Sequence, residues 1–141
     1  STRAQAEDAF SQPPAPAELL ARFIFPKNHF SRKTSRPKPD AFLPQGSPLQ
    51  ASVFRTQGLS ERRVWEIGLA IGTQRHRTLR ARADVSAGSV TEVGLLIDPD
   101  NTPRRHANIV GWPSEKHEQL MFATELAEAA TLHIRPGQSA T

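Results

Sequence analysis

Eight consecutive residues, Thr78 to Val85, alternate strictly: Leu79, Ala81, Ala83 and Val85 are apolar, while Thr78, Arg80, Arg82 and Asp84 are polar or charged. Successive side chains of a β-strand point to opposite faces, so this period of two predicts a strand with its apolar set inward and its polar set outward. A strand must find partners for its backbone groups, which commits the chain to a sheet.

Other segments supply those partners. Ala17 to Phe25 reads as a helical turn leading into a short strand, and Leu49 to Thr56 as a strand with Leu49, Ala51 and Val53 on one face. Val93 to Ile97, stopped by Asp98-Pro99-Asp100-Asn101, Arg105 to Gly111, and Leu132 to Arg135 are further strand candidates. Two helices interrupt them. The first starts at Ser60, an N-cap with Glu61 in the first turn, carries Val64, Ile67, Gly68 and Ile71 along one stripe widened by Trp65 and Leu69, and has Gly72 as its stop. The second runs from about Ser114 to Ala130. Its core stripe is Leu120, Ala123, Ala127 and Ala130, with Phe122 and Leu126 beside it, and Glu115, Glu118, Glu125 and Glu128 lie on the opposite face. Residues 86–92 form a turn or one short helix. The expected fold class is α+β: one mostly antiparallel sheet of four to five short strands with two main helices packed on it.

The 141 residues suffice for one domain with a modest core. Hydrophobic residues make up 37%, and the 12 prolines cluster, so part of the chain must be loop or tail. The expected division is a disordered leader over 1–16, a domain over 17–135 with a basic loop at 26–48, and a flexible tail over 136–141. With no cysteine, the chain has no disulfide, thiolate metal site or cysteine nucleophile. The five histidines show no zinc-ligand spacing, so neither metal nor cofactor is expected. No run of 18 apolar residues is present, which argues against a membrane span and, with no secretory apolar region at the start, for a cytoplasmic setting.

Charge is polarised along the chain. Residues 22–82 hold 13 Lys and Arg against three acids, whereas residues 83–141 hold four against eight. Such asymmetry suits either a basic surface that meets an anion or two halves that attract each other. The basic residues expected to meet a ligand are Arg32, Lys33 and Arg36 in the loop, Arg55 at a strand end, Arg80 and Arg82 on the alternating strand, and Arg105 with His106 and Asn108. Arginine forks bind phosphate bidentately, and interleaved Phe23, Phe25 and Phe30 could stack bases, although Phe23 and Phe25 fit a core better. His29-Phe30-Ser31 and His106-Ala107-Asn108 are both His-x-polar segments. If the two imidazoles faced one cleft, they would make an acid–base pair for phosphoester chemistry.

Arg22-Phe23-Ile24-Phe25, His29-Phe30-Ser31, Ser52-Val53-Phe54-Arg55, Gly58-Leu59-Ser60, Ala81-Arg82-Ala83-Asp84 and the run from Arg105 to Pro113 together resemble a set of small bacterial proteins of uncharacterised function, over about residues 19–130. The resemblance implies a bacterial cytosolic setting and no particular activity. Three functions follow from the residues, in this order: a binding module for a polyanion, nucleic acid or nucleotide; a protein-interaction component of a regulatory or defence system, docking through Glu115, Glu118, Glu125 and Glu128; and a phosphoester- or nucleotide-processing enzyme using His29 and His106.

Overall fold

In the computed structural model, which describes residues 9–137, the alternating segment lies deep inside a six-stranded sheet. The strands are β1 (Leu19–Ile24), β4 (Ala51–Arg55), β5 (Ala81–Ser86), β6 (Leu96–Asp98), β7 (His106–Val110) and β8 (Thr131–Ile134), in the spatial order β6-β7-β4-β1-β5-β8. Every neighbouring pair is antiparallel. A separate hairpin pairs β2 (Phe30–Ser31) with β3 (Arg36–Pro37). Among the described residues three helices accompany the strands: α1 (Glu61–Arg75), α2 (Ala87–Glu92) and α3 (Lys116–Ala129). The α+β class and the antiparallel sheet are as expected, but six strands, not four to five, make up the main sheet.

The sheet has a core on each face. On one side Leu20, Ile24, Val53, Ala81, Ala83, Val85, Ala107 and Ile109 meet Ala87 and Val90 of α2 and Ala123, Leu126 and Ala127 of α3. On the other, Ala21, Phe23 and Phe54 meet Val64 of α1, with Trp65, Ile67 and Ile71 packed around them. This corrects the reading of β5. Arg82 and Asp84 do not face water, because α1 covers their side, and they are only 2% and 8% exposed. Gly68 makes the close approach of α1 possible: a Cβ there would lie 2.6 Å from the Phe23 ring.

Two helix details also differ from expectation. α1 does not stop at Gly72 but continues to Arg75. In α3 Ala123 and Ala127 of the expected stripe are buried, with Leu126 beside them, but Gln119 is buried in place of Leu120, which is 41% exposed. Gln119 is drawn in because its side-chain amide donates to the carbonyls of Pro113 (2.8 Å) and Ser114 (3.3 Å), which lie before the N-cap Glu115 and outside the helical ladder.

The basic stretch 26–48 is structured. It holds two single 3-10 turns, Lys27–His29 and Pro39–Phe42, and the β2–β3 hairpin. Phe30 and Phe42 enter the core, and α3 packs on the second turn. The leader expected over 1–16 lies outside the described residues as far as position 8. From Phe10 onward the segment contacts the domain, and the amide of Gly88 donates to the carbonyl of Pro16 at 2.8 Å. Of the expected tail, 138–141 fall outside the described residues.

If the stretch 26–48 is part of the core, Phe42→Ala should cost about 3–5 kcal/mol of unfolding free energy. Urea denaturation followed by circular dichroism measures this, and a loss below about 1 kcal/mol would mean that the turn is peripheral.

Candidate anion-binding cleft

Three of the six arginines expected to meet a ligand, Arg55, Arg82 and Arg105, are already engaged inside the protein. β1 and β4 pair antiparallel with Leu20 opposite Arg55, which brings Arg55 beside Glu18 at the entry to β1. The carboxylate accepts from both Nε and Nη2 of Arg55, the latter at 2.9 Å, and both side chains are 4% exposed. Nη1 of Arg55 donates to the carbonyl of Gln12. A buried cation is tolerable only with such pairing. Arg82 is paired twice: Nε donates to Asp84 and the Nη groups donate to Glu61, at 2.7 and 3.0 Å, while the guanidinium lies 4.7 Å from the Trp65 ring. His133 Nε2 is 3.3 Å from Asp84 on the neighbouring strand.

His106 and Asn108 share one face of β7, and both turn to Asp100. Nδ1 of His106 is 2.7 Å from one carboxylate oxygen, and the Asn108 amide donates to the other at 3.0 Å. Phe54, opposite His106 on β4, packs edge-on against the imidazole. Oδ1 of Asn108 is buried without a partner among the described residues. Nη1 of Arg105 donates to the carbonyls of Arg55 and Gln57. Lys33 and Arg36 are exposed on the β2–β3 hairpin, with Arg32 over the Phe30 ring, and Arg80 precedes β5. These nine residues therefore do not converge on one surface. The two candidate catalytic histidines are also apart, since the cleft lined by His29 does not include His106.

A different set of basic residues does converge. Arg22 lies on the β1 face that carries Leu20 and Ile24. Its Nε donates to the carbonyl of Ala41 (2.8 Å) and its Nη1 to that of Ser52 (2.9 Å). No carboxylate among the described residues pairs with it. The rest of its guanidinium lines a cleft of about 320 Å³ with His29, Gln45, Gln50, Arg75 and Arg77, and no Asp or Glu lines that cleft. Burial, with the charge of Arg75 acting in the same direction, pushes the Arg22 pKa down to about 10. Burial and Arg22 also lower the His29 pKa below its usual 6.5, against the opposing pull of Asp40. Both shifts come first from burial, with neighbouring arginines adding to it.

The end of α1 places Arg75 and Arg77. Arg75 is the last helical residue, at the negative end of the helix dipole where a cation is favoured. His76 then takes the left-handed conformation (φ 55°), with its N–H donating to the carbonyl of Thr73 and that of Arg77 to the carbonyl of Gly72. The returning chain passes so close that a Cβ on Gly72 would lie 2.6 Å from the Arg77 carbonyl. Gly72 therefore serves the turn-back and does not end the helix. One sequence signal for the cleft does exist: an arginine between Leu20 and Ile24, on the inward face of a strand.

Among the described residues no group of three or more His, Asp or Glu side chains is placed to hold a metal ion, and no helix is long and apolar enough to cross a membrane. Compared with protein-family models, curated proteins and solved structures, the chain matches none.

Two acids should respond very differently to substitution. Glu18→Gln strands the buried Arg55 charge and should cost about 3–5 kcal/mol. Glu61→Gln touches a side chain that is 69% exposed and should cost less than about 1 kcal/mol. Hydrogen bonding by Arg82 holds the Glu61 carboxyl below its usual value of 4.5. Its contribution is thus present above that value and lost as pH falls through the lowered one. Denaturation curves from pH 7 to pH 3 should show Glu61→Gln slightly less stable than the parent near neutrality, with the gap closing as pH falls below about 4.5.

Proposed function

We propose that this protein binds a phosphate-bearing polyanion, nucleic acid or nucleotide, with the phosphate held in the cleft between Arg22, Arg75 and Arg77. The observation that carries this reading is the carboxylate-free lining around a partly buried arginine. Elsewhere in the fold the buried arginines Arg55 and Arg82 have acids beside them. Here the missing counter-charge fits a ligand that supplies it. Guanidiniums recognise phosphate oxygens through paired N–H donors, Gln45 and Gln50 add neutral amides, and Phe25 at the cleft wall offers an aromatic surface for a base. A volume of about 320 Å³ falls within the range of small-ligand sites.

A basic protein partner docking on α3 is the second reading. It is favoured by Leu120 and Met121, 41% and 59% exposed beside Glu118 and Glu125, with no ion pair reaching Glu118, Glu125 or Glu128 among the described residues. Reversing the acids (Glu125→Lys with Glu128→Lys) would abolish such docking and leave binding in the cleft intact.

The cleft is tested by fluorescence anisotropy with a labelled oligonucleotide. Arg75→Gln or Arg77→Gln should weaken binding about tenfold or more, and each should lower the slope of log K against log salt by roughly one. Binding that ignores both substitutions and salt would refute the reading. Sulfate provides a pH test, because its charge is constant near neutrality. A bound anion favours the protonated imidazole, so sulfate affinity should rise as pH falls from 7.5 to 5.5, and His29→Asn should remove that rise.

A further inference from the structure

A second group of arginines meets at the opposite end of β4, and it is covered by the protein's own N-terminal segment. The Phe10 ring lies 4.3 Å from the Arg105 guanidinium and 5.4 Å from those of Arg55 and Arg104. Glu18 neutralises Arg55, but no carboxylate among the described residues pairs with Arg104 or Arg105. Burial lowers the Arg105 pKa, and the neighbouring charge of Arg104 adds to that effect against the opposing pull of Glu18, so Arg104 and Arg105 are held close beside the paired Arg55.

The arrangement is built rather than incidental. Arg105 has φ of 76°, the left-handed region that side chains rarely adopt, and its amide is held there by Oδ1 of Asn101 at 2.7 Å. Its guanidinium is fixed by the carbonyls of Arg55 and Gln57. The contacts that hold the cover include the Gln12 carbonyl on Arg55, Ser11 Oγ accepting from Asn101 Nδ2 at 3.5 Å, the Pro16 carbonyl on Gly88 and the ring itself. A phenyl ring over a guanidinium is the same contact that an unstacked nucleobase makes with arginine. From Arg104 an apolar groove of about 640 Å³ runs past Ile67 and Ile71 to Gln74, next to Arg75 of the basic cleft. At 1.5 Å per residue, Ile67 to Gln74 covers about 10 Å, so the groove links the two arginine groups along one side of α1.

We propose that Arg104 and Arg105, beside the internally paired Arg55, form a second nucleic-acid contact, a stacking platform for a base of a single strand, which Phe10 occupies in place of the base until a strand displaces it. The platform shares its ligand class with the cleft but none of its residues.

The test measures anisotropy of a short fluorescein-labelled oligothymidylate with the full chain. Removing the occupant by Phe10→Ala should tighten binding about fivefold, because the competent state no longer competes with a cation–π contact. Adding Arg104→Gln should abolish that gain. Arg75→Gln should leave the gain in place even as it weakens binding overall, which separates failure of the platform from failure of the cleft. No tightening with Phe10→Ala, or a gain that survives Arg104→Gln, overturns the proposal. Hydrogen exchange gives a second test on the unaltered chain: the oligonucleotide should speed exchange of the Gly88 amide as the Pro16 carbonyl withdraws. Unchanged or slower exchange there would also overturn it.

Discussion

The fork between Arg55 and Glu18 ties the segment entering β1 to the end of β4, and much of the remaining structure is arranged around it. It joins residues 37 positions apart, with both side chains almost wholly removed from water. An arginine cannot be left there alone, so the acid at the mouth of the central strand fixes where the N-terminal segment must run. The backbone follows: the carbonyl of Glu18 accepts from Ala87 at the start of α2, and that of Gln12 accepts from Arg55 itself. Arg82 repeats the arrangement two strands from β4, where Asp84 and Glu61 bind β5 to the first turn of α1. The two ion pairs thus anchor elements on opposite faces of one sheet.

The same chemistry divides the cations into two groups. Arg55 and Arg82 have their charge met within the fold. Arg22 and Arg105 donate to carbonyls, Arg104 and Arg105 lie against the Phe10 ring, and no ion pair reaches any of these three, Arg75 or Arg77 among the described residues. Net charge and its position along the chain do not distinguish these groups, because the neutralising acids lie far away in sequence, as Glu18 does from Arg55. A basic segment can therefore be internally satisfied while a cleft assembled from scattered residues is not.

Much of the scaffold was nonetheless legible. All six apolar segments that alternate or stop at turn residues enter the main sheet, and Ser60 caps α1 through its side chain as its position suggests. The errors came from tertiary contacts. The polar half of β5 looked solvent-facing because nothing local indicates that α1 lies over it. The stripe of α3 holds at Ala123 and Ala127 but differs at its first turn, where polarity argues for Leu120 over Gln119 although the Gln119 amide has two carbonyls to serve. The stretch 26–48 looked loose because its prolines are dense, while Phe30 and Phe42 carry it into the core. The cleft was the least legible feature, since it depends on where α1 ends and on how β1 presents one inward arginine.

The left-handed turn at His76 has a thermodynamic consequence of its own. Arg75 and Arg77 owe their proximity to the closing hydrogen bonds that His76 and Arg77 make back to Thr73 and Gly72. Helix ends fray, and each opening of this last turn would carry the two guanidiniums apart. A ligand that bridges them binds only the closed turn, so its free energy is shared with local folding. Occupancy of the cleft and the order of the final turn of α1 are then one equilibrium, and a change at His76, which touches no ligand in this reading, would alter affinity by changing how often the site exists.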